Sequence, residues 1–372
     1  MTTTPVSKEP AKTTTSPVNF LLGLVVVVAL AFLARALKDQ VYGIKDIAGL
    51  GIPGKVLEFP IWAALLGLIA NWMLKAMKVY DSIRSGFRTE LFLKIGLVLL
   101  GTTISFKTIV TAAGGAVIQG VIMVSAVYFF SWWLSGKFGL PDTLRAVMST
   151  AVSICGVSAA IAAAGSVLAK KEEITYVTAL VIITALPLMV IAPLIAGAIN
   201  MPEPVAGAWF GGNVDTTAAV VGAGTIYGET AQKIASIVKQ TQNALIGIVA
   251  FLLAFYFTTV VEGKKERPSA AVIWQRFPKF VLGFIIASLL FTFGLIPAAS
   301  SKDPTAANAI GAMKDWAFCL AFVCMGLELS VGEFKKMGWS PVVVYLIVTV
   351  FNTLLALVVS WLIFGWLFPA SI

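Results

Sequence analysis

Twice along this chain a knot of small and polar residues interrupts sequence that is otherwise almost wholly apolar. The first runs Ser153-Ile154-Cys155-Gly156-Val157-Ser158 and passes into the alanine-rich stretch from Ala159 to Gly165. The second runs Gly211-Gly212-Asn213-Val214-Asp215-Thr216-Thr217 and passes into Ala218 to Gly224. A helix facing lipid cannot carry such residues, because bare backbone polar groups and an Asp in hydrocarbon are each expensive. Helices that break off inside a membrane and line a cavity can, and paired breaks of this kind mark secondary transporters.

Composition agrees. Of 372 residues, 59% are hydrophobic and 12% charged, and mean hydropathy is +0.93. Soluble domains carry about twice that charge. The net charge of +9 does not indicate nucleic acid, because the basic residues fall between apolar runs. There they orient spans and meet anionic headgroups of the bilayer. Trp132, Trp133, Trp361 and Trp366 lie near predicted span ends, where indole prefers the interface. Histidine is absent, which excludes imidazole-ligated metal and leaves proton coupling to a shifted carboxylate or lysine. Cys155, Cys319 and Cys324 all sit in apolar sequence and are expected as buried free thiols.

The expected fold is an all-α polytopic membrane protein. Residues 1–17, rich in Thr, Pro and Lys, read as a disordered tail, and 18–372 as a single transmembrane domain of about eleven spans. Apolar runs fall at about 18–33, 60–77, 91–105, 109–134, 144–168, 175–199, 205–225, 231–260, 280–296, 307–328 and 341–367. The fifth and seventh hold the two knots and are expected to be discontinuous. The first run has the length of a signal peptide but no cleavage site after it, so it reads as a retained helix. Residues 39–57 read as a mixed segment at the interface.

The richest basic loops, Lys75/Lys78/Arg84/Arg88 and Lys264/Lys265/Arg267/Arg276/Lys279, fall on one side of an eleven-span chain. That side should be cytoplasmic, with the N-terminus, and the C-terminus outside an inner (plasma) membrane. Gly101-Thr102-Thr103-Ile104-Ser105 and Gly326-Leu327-Glu328-Leu329-Ser330 echo each other, as the knots do. These echoes are either an inverted repeat or convergent small-residue helix contacts.

Several polar groups could carry chemistry. Asp215 is either a coupling-ion site for Na+ or H+, supported by Asn213, Thr216 and Thr217, or a cap for the helix that follows. If the first helix breaks at Gly156, the N–H groups of Val157 to Ala159 and the Ser158 hydroxyl would face the cavity. A helix N-terminus carries about half a positive charge and binds anions without a basic side chain. Ser153, Cys155, Gly156 and Ser158 are therefore candidates for an anion site, with tight helix packing as the alternative. Glu328 is a second intramembrane acid or an interfacial residue. Lys239-Gln240-Thr241-Gln242-Asn243 either lines a cavity or opens an interfacial helix, with Gln242 and Asn243 as the candidates along the path. No hydrolase or nucleotide-binding motif occurs in convincing context: Gly222-Ala223-Gly224 lacks the strand–turn–helix setting. No enzymatic activity and no cofactor are expected.

Lys94-Ile95-Gly96-Leu97-Val98-Leu99-Leu100-Gly101, the Ser153 to Ala159 run, Val220-Val221-Gly222-Ala223-Gly224, Ile237-Val238-Lys239 and the Gly326 to Ser330 element together resemble the YeiH family (UPF0324). Its bacterial inner-membrane members are labelled candidate sulfate exporters. The resemblance implies an anion transporter, distantly akin to the bile-acid symporter and cation/proton antiporter type of fold. Family members tend to carry histidine at the position of Asp215 and arginine at that of Gln242, so this chain has less positive charge there. The expected activity is secondary transport of a small anion such as sulfate, sulfite or a small sulfonate. The alternative is a sodium- or proton-coupled carrier of a small organic acid. The lipid bilayer is the expected surrounding, and a homodimer is left open.

Overall fold

The computed structural model describes residues 16–42, 58–261, 279–296, 304–329 and 338–369, and every regular element among them is helical. Most of the tail expected over 1–17 lies outside the described residues; Pro17 opens the first helix. Of the interfacial segment expected at 39–57, residues 39–42 continue α1 and 43–57 lie outside the described residues, as do the basic loop at 264–276 and Ser330.

The helices are α1 (Pro17–Tyr42), α2 (Phe59–Ala76), the short α3 (Tyr80–Ile83), α4 (Thr89–Gly101), α5 (Phe106–Lys137), α6 (Asp142–Thr150), α7 (Val157–Val167) and α8 (Lys171–Ala198). There follow α9 (Glu203–Asn213), α10 (Thr217–Tyr227), α11 (Glu229–Ala244), α12 (Ile246–Tyr256), α13 (Phe280–Thr292), α14 (Pro304–Leu327) and α15 (Ser340–Ser360). Wide π-helical turns extend α6 over Ala151–Cys155, α12 over Phe257–Val261 and α15 over Trp361–Leu367. Among the described residues 7 helices are long and apolar enough to cross a membrane. The remaining apolar runs appear as shorter pieces, α7 and α10 at 11 residues each.

Sequence signals set many of the ends. Ser105 caps α5 by accepting from the Thr108 N–H. At the head of α8 the Glu173 carboxylate reaches back to the Lys170 N–H at 2.9 Å, the reciprocal half of a capping box.

The helices pack as two bundles. The first holds α1, α2, α3, α4, α13 and α14; the second holds α5 to α12 and α15. In the first, α2 and α14 touch backbone to backbone. A Cβ on Gly67 would strike the Val323 carbonyl oxygen, and one on Gly326 that of Ala64. With no lipid-excluding hydrophobic force between helices, such close approach is a main source of association. Asn71 Nδ2 then donates to the carbonyls of Leu327 and Leu329, and Lys75 Nζ to Leu329 at 3.0 Å, closing the end of α14. Gly101, the partner of Gly326 in the sequence echo, likewise admits the Phe284 carbonyl of α13. The bundles meet where α10 lies against α2 and α14, and where α5 passes α13.

Candidate functional site

Each knot becomes a helix break, and the two breaks touch. After the π turn, Gly156 takes φ 68°, ψ −112°, its N–H closing on the Ala151 carbonyl at 2.9 Å. Only glycine adopts this conformation without strain. A Cβ there would also lie 2.5 Å from Val181 Cγ1 and 3.4 Å from the Asp215 carbonyl oxygen. In the second break, Val214 and Thr216 are extended between α9 and α10. Thr216, not Asp215, is the cap: its hydroxyl accepts from the Ala219 N–H at 3.1 Å. This answers the capping alternative for Asp215.

Between the bundles, beside both breaks, lies a crevice of about 510 Å³. Three helices begin at it: α4 with Thr89 and Glu90, α7 with Val157 and Ser158, and α10 with Thr216 and Thr217. Their first-turn N–H groups, which have no partners within the helix, and their aligned peptide dipoles favour negative charge in the crevice. Arg88 and Lys94 add positive charge; Glu90 and Glu328 oppose it. Glu90 is paired with Lys94 at 2.8 Å and accepts from the Ser158 hydroxyl at 3.4 Å, linking the bundles.

A second layer of polar groups lies behind the breaks, inside the second bundle. Asp215, 1% exposed, accepts through Oδ2 from the Tyr345 hydroxyl at 2.7 Å and more weakly from Thr184 at 3.4 Å; its Oδ1 has no partner. Lys239 Nζ donates to the Ile154 carbonyl at 2.6 Å and to Gln242 Oε1 at 3.2 Å. Asn243 Nδ2 reaches Thr217 Oγ1 at 3.2 Å, joining this layer to the head of α10. Asn213 is bound to α15, its carbonyl accepting from Asn352 and its Oδ1 from Thr353. Gln119 of α5 donates to the Ala208 carbonyl at 2.7 Å. Buried polar atoms left without protein partners also occur on Asn213, Gln240, Gln242 and Asn243. Groups of this kind call for water or ions.

The residues singled out in sequence thus divide. Cys155, Ser158, Thr216, Thr217 and Glu328 line the crevice. Gly156 forms the junction of the breaks. Ser153 turns back onto its own helix, donating to the Thr150 carbonyl at 3.4 Å. Asn213, Asp215, Gln242 and Asn243 belong to the layer behind. Sequence reasoning passed over Gln119, Thr184, Tyr345 and Asn352. The available signal was a lone polar side chain inside an apolar run, as Gln119 between Ile118 and Gly120.

A second crevice, of about 220 Å³, opens between the bundles at the other end of α10, by Thr225 and Gly228. Arg35 stands there over the Trp316 ring at 4.8 Å and the Phe59 ring at 5.9 Å. Burial raises the Glu58 carboxyl above its ordinary range, against the pull of Lys38.

Among the described residues, seven span-length apolar helices packed in two bundles around buried polar groups define a multi-pass helical membrane protein. The chain belongs to the UPF0324 family of membrane proteins: the family model described as "Conserved hypothetical protein 698" matches residues 15–345. It is similar to a UPF0324 membrane protein of Rhodopirellula baltica, 35% identical over 327 residues, covering 85% of this chain and 59% of that one. A UPF0324 membrane protein of Nitratidesulfovibrio vulgaris is 33% identical over 363 residues, covering 94% of this chain and 60% of the relative. The chain therefore spans about three fifths of the length of these two relatives. The UPF0324 membrane protein TauZ of Paracoccus denitrificans is 27% identical over 299 residues, covering 78% of this chain and 83% of that one. No solved structure matches.

Proposed function

We propose that this protein is a secondary transporter of a small anion, with sulfate, sulfite and small sulfonates as the substrates to test. The observation that carries this reading is the convergence of three helix N-termini on one crevice between two bundles. Such ends hold an oxyanion by backbone N–H groups and the helix dipole, and here Arg88 and Lys94 stand in the same lining. Here α6–α7 and α9–α10 act as two discontinuous transmembrane helices, with Ser158, Thr216 and Thr217 as direct anion ligands.

Crevices at opposite ends of α10 support alternating access, the second bundle rocking against the first. The larger crevice lies beside Arg88, in the basic loop after α2. By the distribution of basic residues it opens to the cytoplasm, with the chain in the plasma membrane.

Purified protein in liposomes, offered labelled sulfate, sulfite and small sulfonates, tests the reading. Saturable flux of one of them is expected; no flux of any anion by folded protein defeats it. A second reading couples organic-acid flux to Na+ or H+ through Asp215, and its unpartnered Oδ1 favours that reading. Under it, Asp215→Asn abolishes ion dependence while leaving expression intact.

A further inference from the structure

Lys239 has 2% of its surface exposed and lies inside the second bundle. A charge there is costly unless hydrogen bonds and an opposite charge compensate it. Its compensating groups form a particular set. Ile154 stands just before the break, so its carbonyl, the acceptor at 2.6 Å, is a helix-end oxygen whose usual N–H donor lies beyond Gly156. Gln242 supplies an amide oxygen at 3.2 Å. Asp215 belongs to the other break, whose backbone comes up against the first: its carbonyl oxygen would lie 3.4 Å from a Cβ on Gly156, two residues beyond Ile154. A helix-end carbonyl and an amide oxygen on one cation, with a carboxylate on the neighbouring break, are the kind of oxygen donors with which interrupted helices hold an alkali cation.

We propose that the Lys239 ammonium is a tethered cation occupying a monovalent metal-ion seat between the two breaks, so that the wild-type chain takes neither Na+ nor K+ there. Removing the amine opens the seat. The sequence placed a coupling ion at Asp215; under this proposal the chain's own ammonium, buried beside the first break, takes the place of that ion. The readout is cation binding, so this inference stands or falls separately from which anion is carried.

The test is thermal unfolding of the full chain in nanodiscs, in NaCl, KCl or choline chloride at constant ionic strength. The wild-type midpoint is expected to be the same in all three salts. Lys239→Met keeps the apolar stem and removes the charge. It should unfold earlier in choline and show a saturable upward shift with Na+ or K+. That shift should vanish in Lys239→Met/Asp215→Asn. A saturable Na+ or K+ shift in the wild type overturns the proposal, as does a Lys239→Met chain that neither cation stabilises. If Lys239→Met does not accumulate, Lys239→Gln carries the same measurement, and the wild-type comparison needs no variant.

Discussion

Gly156→Ala is the substitution on which the meeting of the two breaks can be judged. Two separate costs follow from the geometry. At φ 68°, ψ −112° an L-residue sits in a sparsely populated region, worth about 1–3 kcal/mol. The new methyl group would also lie 2.5 Å from Val181 Cγ1, an overpacking worth about 1–3 kcal/mol. Together they remove about 2–6 kcal/mol from a total that for most folded domains is about 5–15 kcal/mol. The two parts can be separated. Val181→Ala deletes the struck methyl, so in a double-mutant cycle it should return the steric part, a coupling of about 1–3 kcal/mol, and leave the backbone part. Unfolding by rising SDS mole fraction in dodecylmaltoside micelles, followed by tryptophan fluorescence, measures each corner. Trp209, 1% exposed in α9, reports from beside the second break. A loss below about 0.5 kcal/mol, the usual range of an inert surface change, would refute the argument. So would a cycle with no coupling, because Val181 would then not be the neighbour that Gly156 accommodates.

Ser158→Ala should weaken anion binding by about 10- to 100-fold, the worth of one hydrogen bond to a charged group, whereas Ser153→Ala should leave it unchanged; equilibrium binding of labelled anion to both variants checks this. Tyr345→Phe removes the stronger donor to Asp215 and should cost about 1.5–3 kcal/mol, with Thr184→Val costing less, as read in the same micelle titration. Asn71→Leu takes the side-chain donor from the Leu327 carbonyl at the end of α14, while Leu329 keeps Lys75, costing about 1–3 kcal/mol. It should lower the unfolding midpoint and leave anion affinity within about twofold, because Asn71 itself does not line the crevice.

The breaks were legible because their residues are ones lipid would reject, and the structure interrupts helices at Gly156 and between Asn213 and Thr217. Which side of each break a side chain takes was not legible. Ser153 and Ser158 look alike as letters, yet the break at Gly156 lies between them. Ser153, within the π turn, bonds back to Thr150, while Ser158 opens α7 onto the crevice. The contribution of the first bundle was hidden for another reason. Arg88, Glu90 and Lys94 read as loop and span-end residues, and their place in the crevice depends on how α4 crosses α14. Asp215 shows a third limit. Its partners, Tyr345 and Thr184, are 130 and 31 residues away in sequence, and no local spacing connects them.

The shortness of α10 has an electrical consequence. Its 11 residues span about 16 Å, roughly half the thickness of the hydrocarbon core. With water in both crevices, the membrane voltage falls across this one helix and the contacts beside it, so the local field is about twice that in plain bilayer. A full crossing of one charge is worth about 2.3 kcal/mol per 100 mV. Sliding the second bundle by one helical turn, about 5.4 Å, would carry a bound charge through about a third of that drop. Flux of a charged substrate should therefore be voltage-dependent even where the moving parts travel only a short distance.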